Sequence, residues 1–272
     1  MCLILLAAHA HPCYPLIVAA NRDEAYDRPA APAAFWDDEP RICAGRDLQH
    51  GGTWLGIACT GRFAAITNYR QASARATDKR SRGELTRNFL AGESSPQSYV
   101  TRLELRANDY NGFSLIVGNP ESLWFYSNRG AGPQRISSGV HGLSNHLLDE
   151  PWPKVNRGIA KLEKLLGSEE SELVPRLFDL LADRSAAPDD ALPSTGVALE
   201  RERALSASFI EGERYGTRAS TVLLVAAHGH VLLQERAFGP GGRAAGQTEQ
   251  RFRLDALAAG PLSSPLRPRK RA

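Results

Sequence analysis

Apolar positions along the chain follow two rhythms. Leu3 to Ala8 and Leu16 to Ala20 are short unbroken apolar runs, and between them His11-Pro12-Cys13-Tyr14-Pro15 reads as a turn. Thr53 to Cys59 and Arg62 to Thr67 form a second pair of runs around the hairpin turn Thr60-Gly61. The connections are too short for parallel crossovers, so the pairing is antiparallel. The period then lengthens. Leu85, Phe89 and Leu90 recur at helical spacing, as do Tyr99, Leu103 and Leu105 behind the cap-like Ser95-Pro96. Strands return at Phe113 to Val117 and Leu123 to Tyr126, divided by Gly118-Asn119-Pro120, and Ile136 to Leu143 reads as a strand interrupted by glycine. Helices follow at Val155 to Leu166 and Leu173 to Leu181, then a loop from Arg184 to Gly196. Thr221 to Ala227 and Val231 to Phe238 make a last hairpin around Gly229. Strands, helices, strands, helices, strands is the order of an α+β protein. Two packed antiparallel sheets with helices outside, a four-layer αββα sandwich, accommodate it; regular βαβ alternation does not.

The chain has 272 residues, 42% hydrophobic and 23% charged, which suits a soluble globular protein. A chain this long buries roughly three quarters of its surface without a staple. We expect a single domain over 1–272 with a frayed, basic tail at 260–272. The net charge of +3 sits largely in Arg267, Arg269, Lys270 and Arg271, so no nucleic-acid partner is expected. No apolar run approaches the roughly 20 residues of a membrane-spanning helix. The apolar start ends in the small-x-small Ala8-His9-Ala10, but no Lys or Arg precedes it, so a secretory leader is not expected. The four cysteines, Cys2, Cys13, Cys43 and Cys59, form no CxxC, and the reducing usage suits a cytoplasmic protein. His9 with His11, and His228 with His230, share strand faces, yet no carboxylate completes a metal site. Gly51-Gly52 lacks the rest of any phosphate-loop pattern.

Two features carry candidate chemistry. Initiator methionine is normally removed ahead of a small residue, which would leave Cys2 with a free α-amine. That amine titrates at about 7.7–8.0 and the thiol at about 8.5, so one residue supplies nucleophile and base. The second feature is Asn21-Arg22-Asp23-Glu24 at a strand end, extended by Tyr26-Asp27-Arg28-Pro29. Arg22 can hold a thiolate electrostatically, and Asp23 can orient an α-ammonium.

With these residues in view, the chain resembles the NRDE-motif family, the family of transport and Golgi organisation protein 2. The resemblance runs from residue 2 to about residue 225. It continues through Phe35-Trp36, Ala44-Gly45-Arg46-Asp47-Leu48, Gly51-Gly52-Thr53-Trp54-Leu55-Gly56, Thr67-Asn68-Tyr69-Arg70, Ser81-Arg82-Gly83 and Gly142-Leu143-Ser144-Asn145. More distantly it is similar to N-terminal-nucleophile (Ntn) cysteine hydrolases such as penicillin V acylase and bile salt hydrolase. That resemblance implies an Ntn-hydrolase-like fold. It also implies catalytic roles for Cys2, Arg22, Asp23, Asn68, Asn145 and Arg218, with Asn68 and Asn145 forming an oxyanion hole. Those hydrolases place Arg three residues before Asp, whereas Arg22 and Asp23 are adjacent. Either Asp23 or Glu24 can take the carboxylate's part.

Two functions follow. The family association implies a haem-handling carrier first: a cleft for haem or another large apolar anion, with Arg22, Arg70 and Arg218 on its acidic groups and Trp54 or Tyr69 stacking on it. Asn21 and Glu24 are further candidate ligand contacts. No cofactor is required in this reading; without CxxCH, haem would be an exchangeable ligand. The alternative is a Cys2-dependent amidohydrolase or acyltransferase, whose small-molecule partner would be an acyl-amide or acyl-CoA.

Overall fold

A computed structural model describes residues 2–71 and 76–255. The expected tail at 260–272 lies outside them. The chain opens with β1 (Cys2–Ala8), β2 (Leu16–Ala25), β3 (Ala30–Phe35), β4 (Ile42–Asp47), β5 (Leu55–Ala58) and β6 (Phe63–Asn68). Helices α1 (Gly83–Ala91) and α2 (Pro96–Glu104) precede β7 (Phe113–Asn119), β8 (Ser122–Ser127), β9 (Gln134–Arg135) and β10 (Gly139–Leu143). Then come α3 (Pro153–Leu165), α4 (Glu170–Leu181), the short α5 (Leu199–Ala204), β11 (Tyr215–Val225), β12 (His230–Phe238) and β13 (Ala244–Arg253).

The strands form two antiparallel sheets, ordered β10-β1-β2-β11-β12-β13 and β3-β4-β5-β6-β7-β8-β9. Three apolar layers hold them together. Ile4, Leu6, Val18 and Leu223 face Ile57, Phe63, Ile116 and Phe125 between the sheets. The alternate residues Leu3, Leu5, Ile17 and Leu224 face Val155, Leu162, Leu173 and Leu177 of α3 and α4. On the far side Ile66, Leu115 and Val117 pack on Leu85 and Phe89 of α1 and Val100 of α2. This is the Ntn-hydrolase-like αββα sandwich. It explains why β1 and β2 begin as unbroken apolar runs: both faces of the first sheet are covered, so each side chain buried on either face contributes about 1.5–3 kcal/mol. Helix α3 lies close on β1, because a Cβ on Gly158 would stand 2.7 Å from a methyl of Leu5.

Several elements depart from the sequence expectation. The run Ile136 to Leu143 is not one strand. Its first end follows β9 in the second sheet and its last part is β10 in the first, so the chain crosses between sheets where Gly139 takes φ +138°. The final hairpin is followed by β13, whose exposed side chains carry no apolar rhythm. Strand β3 reads poorly because it holds Pro32, tolerated where it lies at a sheet edge. Helix α5 has one buried residue, the charged Glu202. Ser95 caps α2 as expected, its hydroxyl accepting from the amide of Ser98 at 3.2 Å. No helix among the described residues is long and apolar enough to cross a membrane.

Candidate active site

Strand parity sets out the site. Cys2 lies opposite Arg22 in the β1–β2 register, and both share the parity of the residues facing the second sheet. Arg22 reaches across to that sheet and stacks on Trp54, its guanidinium carbon 4.0 Å from the ring centroid. Asn21 and Asp23 have the opposite parity. The Asn21 amide donates to the carbonyls of Leu181 and Ser208 at 2.8 Å each, and its oxygen accepts from Ser220 at 2.6 Å. Asn21 therefore ties the sheet to the end of α4, and the structure does not put it among the residues lining the cleft as the sequence reading expected. Asp23 accepts from the Thr217 hydroxyl at 2.7 Å through Oδ1, and its backbone carbonyl accepts from Tyr215 at 3.0 Å. Burial pushes the Asp23 carboxyl up from its ordinary value, and the nearby Lys154 charge pulls it back.

The β10–α3 loop supplies the other half. Asn145 is fully buried; its Oδ1 accepts from the Cys2 backbone nitrogen at 3.3 Å and its Nδ2 donates to the Asn68 carbonyl at 2.8 Å. One Nδ2 proton stays uncommitted by these bonds. The loop is fixed by the Arg70 amide, which donates to the Asn145 carbonyl at 2.7 Å, and by Thr67, whose hydroxyl donates to the Ser144 carbonyl at 2.7 Å. Burial is the main influence on the Cys2 thiol and pushes it up; Arg22 works in the opposite direction.

Cys2, Arg22, Glu24, Trp54 and Asn68 line a cleft of about 360 Å³. A neighbouring lobe of about 330 Å³ shares Glu24 and Asn68 with it and adds Tyr69, Arg70, Asn145 and Tyr215. The Tyr69 hydroxyl sits 2.5 Å from Nε2 of His146, whose Nδ1 is 2.9 Å from Glu150. Arg218 stands apart from Cys2. It lies in the bulge of β11 between Thr217 and Ala219, donates to the carbonyls of Ala25 and Arg28, and lines a separate cavity on the far side of Arg22 and Trp54. The structure thus assigns Arg218 to holding the β2–β3 turn. Arg70 is buried against Glu202 and stacks 4.5 Å from the Trp152 ring.

Sequence reading missed Lys154, Glu202 and His146. For Lys154 a signal existed: on α3 it lies one and two turns before Gly158 and Leu162, on the buried stripe of the helix. Among the described residues no cluster of His, Cys, Asp and Glu is arranged to hold a metal.

The chain carries its charged tetrad, residues 21–24, on β2 beside Cys2, and residues 1–240 match the family described as Transport and Golgi organisation 2. The chain belongs to that family. The Transport and Golgi organization protein 2 homolog of Bos taurus is 37% identical over 257 residues, covering 87% of this chain and 93% of the relative. The Mus musculus homolog is 35% identical over the same length and coverage. Among solved structures, penicillin V acylase from Agrobacterium tumefaciens aligns with a TM-score of 0.51 at 11% identity, covering 87% of this chain and 83% of the acylase. At that identity the likeness is one of fold. It agrees with the two-sheet sandwich of this Transport and Golgi organisation 2 member.

Proposed function

We propose that this protein is a Cys2-dependent hydrolase or acyltransferase acting on carbon–nitrogen amides or acyl thioesters. One observation carries the reading. Asn145, 143 positions away in sequence, bridges the Cys2 nitrogen and the Asn68 carbonyl at the wall of a cleft that Cys2 lines. A buried amide that fixes the Cys2 nitrogen at the cleft wall suits an N-terminal nucleophile, whose backbone nitrogen must be held in place. The protein that shares the fold is, by its name, a penicillin V acylase.

The chemistry requires Met1 to be removed, so that the Cys2 nitrogen becomes an amine with a basic lone pair. Sγ then attacks the carbonyl carbon of the substrate while its proton passes to the α-amine. The developing oxyanion accepts a hydrogen bond from the remaining Nδ2–H of Asn145. The carbon–nitrogen bond breaks, the leaving amine takes the proton from the α-ammonium, and a thioester remains on Cys2. Water, deprotonated by the α-amine, attacks the thioester carbon and releases the carboxylate; an acceptor amine in its place completes acyl transfer. Arg22 supports the thiolate from the cleft side. Glu24 lines the cleft and faces Arg28 at 4.0 Å, which leaves the positioning of the amine to Asp23.

Incubating mature protein with a panel of acyl-amides and acyl thioesters tests this. Intact-mass and peptide spectra should show a loss of Met1 and an acyl adduct on Cys2, and Cys2→Ala should lose both adduct and turnover with the fold retained. Cys2→Ser should retain little, because the hydroxyl is the weaker nucleophile near neutral pH. Adducts on Cys13, Cys43 or Cys59 instead, or a retained Met1, would overturn the reading. The haem-carrier expectation gains no specific support from the site, and the buried pairing of Arg70 removes one of its three proposed anion contacts.

A further inference from the structure

Beneath the nucleophile the structure holds a charge that this mechanism does not use. Lys154, in the first turn of α3, is 1% exposed, and its Nζ has no hydrogen-bond partner. An ammonium is seldom taken out of water, since the effective cost is several kcal/mol unless an opposite charge compensates. Helix α3 carries it there by packing on β1 and β10, closely enough that a Cβ on Gly158 would stand 2.7 Å from Leu5. The charged and titratable groups whose charges act on Lys154 are Asp23 from β2, Arg70 after β6, Cys2 from β1 and Glu202 from α5. Glu202 is already engaged by Arg70 and by the Thr195 hydroxyl. Asp23 is 2% exposed, with Oδ1 engaged by Thr217. The compensating charge for Lys154 is Asp23, the opposite charge that acts on it most strongly.

We propose that Lys154 is a positioning residue of the Cys2 site, a buried ammonium that keeps Asp23 ionised beneath the nucleophile and so sets the pH at which Cys2 becomes reactive. The inference rests on the reading of Cys2 as nucleophile. Burial strips Asp23 of water and favours its protonated form, which could no longer orient an α-ammonium by charge. A cation on the same side of the sheet as Asp23 reverses that preference, and an ionised Asp23 in turn raises the Cys2 thiol. Burial lowers Lys154 itself to about 8, so the ammonium is present at neutral pH and is lost on the alkaline side.

The readout is the rate of Cys2 alkylation by iodoacetamide against pH on intact mature protein, followed on the Cys2 peptide by mass spectrometry. Lys154→Met keeps the length of the side chain and removes its charge. By letting Asp23 take up a proton it should move the midpoint of the profile down, in the same direction as Asp23→Asn. Asp23→Asn removes the negative partner and should move the midpoint down. In the double variant the two shifts should fail to add, because each acts through the other. If Lys154→Met proves insoluble, Asp23→Asn alone still decides, since an unmoved midpoint there disconnects the pair from the thiol. A midpoint within experimental error of the parent in Lys154→Met, with near-UV circular dichroism unchanged, makes Lys154 a packing residue and overturns the proposal. Alkylation needs no turnover. A protein that hydrolyses no amide but shows the shift keeps this inference and loses the hydrolase reading, whereas turnover with an unmoved profile does the reverse.

Discussion

Replacing Glu202 by Gln leaves the Arg70 guanidinium with its charge and takes away the partner that cancels it. The side chains of Arg70 and Glu202 are 5% and 3% exposed, so water cannot step in to screen the loss. Breaking one side of such a pair costs about 3–5 kcal/mol, most of it the penalty of an uncompensated buried charge. The lower end applies here. Gln can still accept from Arg70, and the Trp152 ring, 4.5 Å away, continues to stabilise the cation. About 3 kcal/mol is a large part of the roughly 5–15 kcal/mol that holds a typical protein folded. Urea titration at neutral pH, followed by tryptophan fluorescence and far-UV circular dichroism, reads it. With a slope of about 3 kcal/mol/M the midpoint should fall by about 1 M, the slope itself unchanged. The paired variant Arg70→Met with Glu202→Leu should recover most of the loss, since an apolar pair of similar volume needs no compensation. A Glu202→Gln midpoint within about 0.2 M of the parent, corresponding to well under 1 kcal/mol, would refute the reasoning and show that the pair is hydrated.

Two further outcomes follow from the loop and the cleft wall. His141 meets Asp149 at 2.7 Å, and this bond raises the imidazole above its ordinary value of 6.5. Its contribution is complete below that value and disappears as pH rises through the raised one, so the Tm gap between parent and His141→Gln should be widest in mild acid and close on the alkaline side. A gap of constant size across that range would show that charge is not involved. Gly45→Ala would place a methyl 2.3 Å from the Trp54 ring, which must swing away and unstack from Arg22. Slower alkylation of Cys2 and a changed tryptophan emission are expected, and an unchanged alkylation rate would mean that the Arg22–Trp54 stack does not support the thiol.

The apolar rhythm alone located β1, β2, β5 to β8, the α1 to α4 helices and the β11–β12 hairpin. It did so because each of these elements buries at least one face, and burial is what a sequence pattern records. Elements that bury little, such as β13 and α5, left no rhythm to find. Cys2, the Arg22-Asp23 pair, Asn68 and Asn145 were legible through a family resemblance and through their place at strand ends. Their partners were not. That Asn145 would hold the Cys2 nitrogen depends on a loop 143 positions away closing over β1.

The sequence by itself determined the two-sheet sandwich, written in local periodicity, and singled out Cys2 as the candidate nucleophile through a few short motifs. The tertiary structure decided how the charges divide. Alternation along β2 sends Arg22 to the cleft and Asn21 to the helix side, and Arg218 lies in a bulge of β11 against a separate cavity. It also decided that a lysine in a helix's first turn would end up buried away from water. Charges interact through space and through whatever excludes solvent between them, and neither quantity exists until α3 has packed against the sheet.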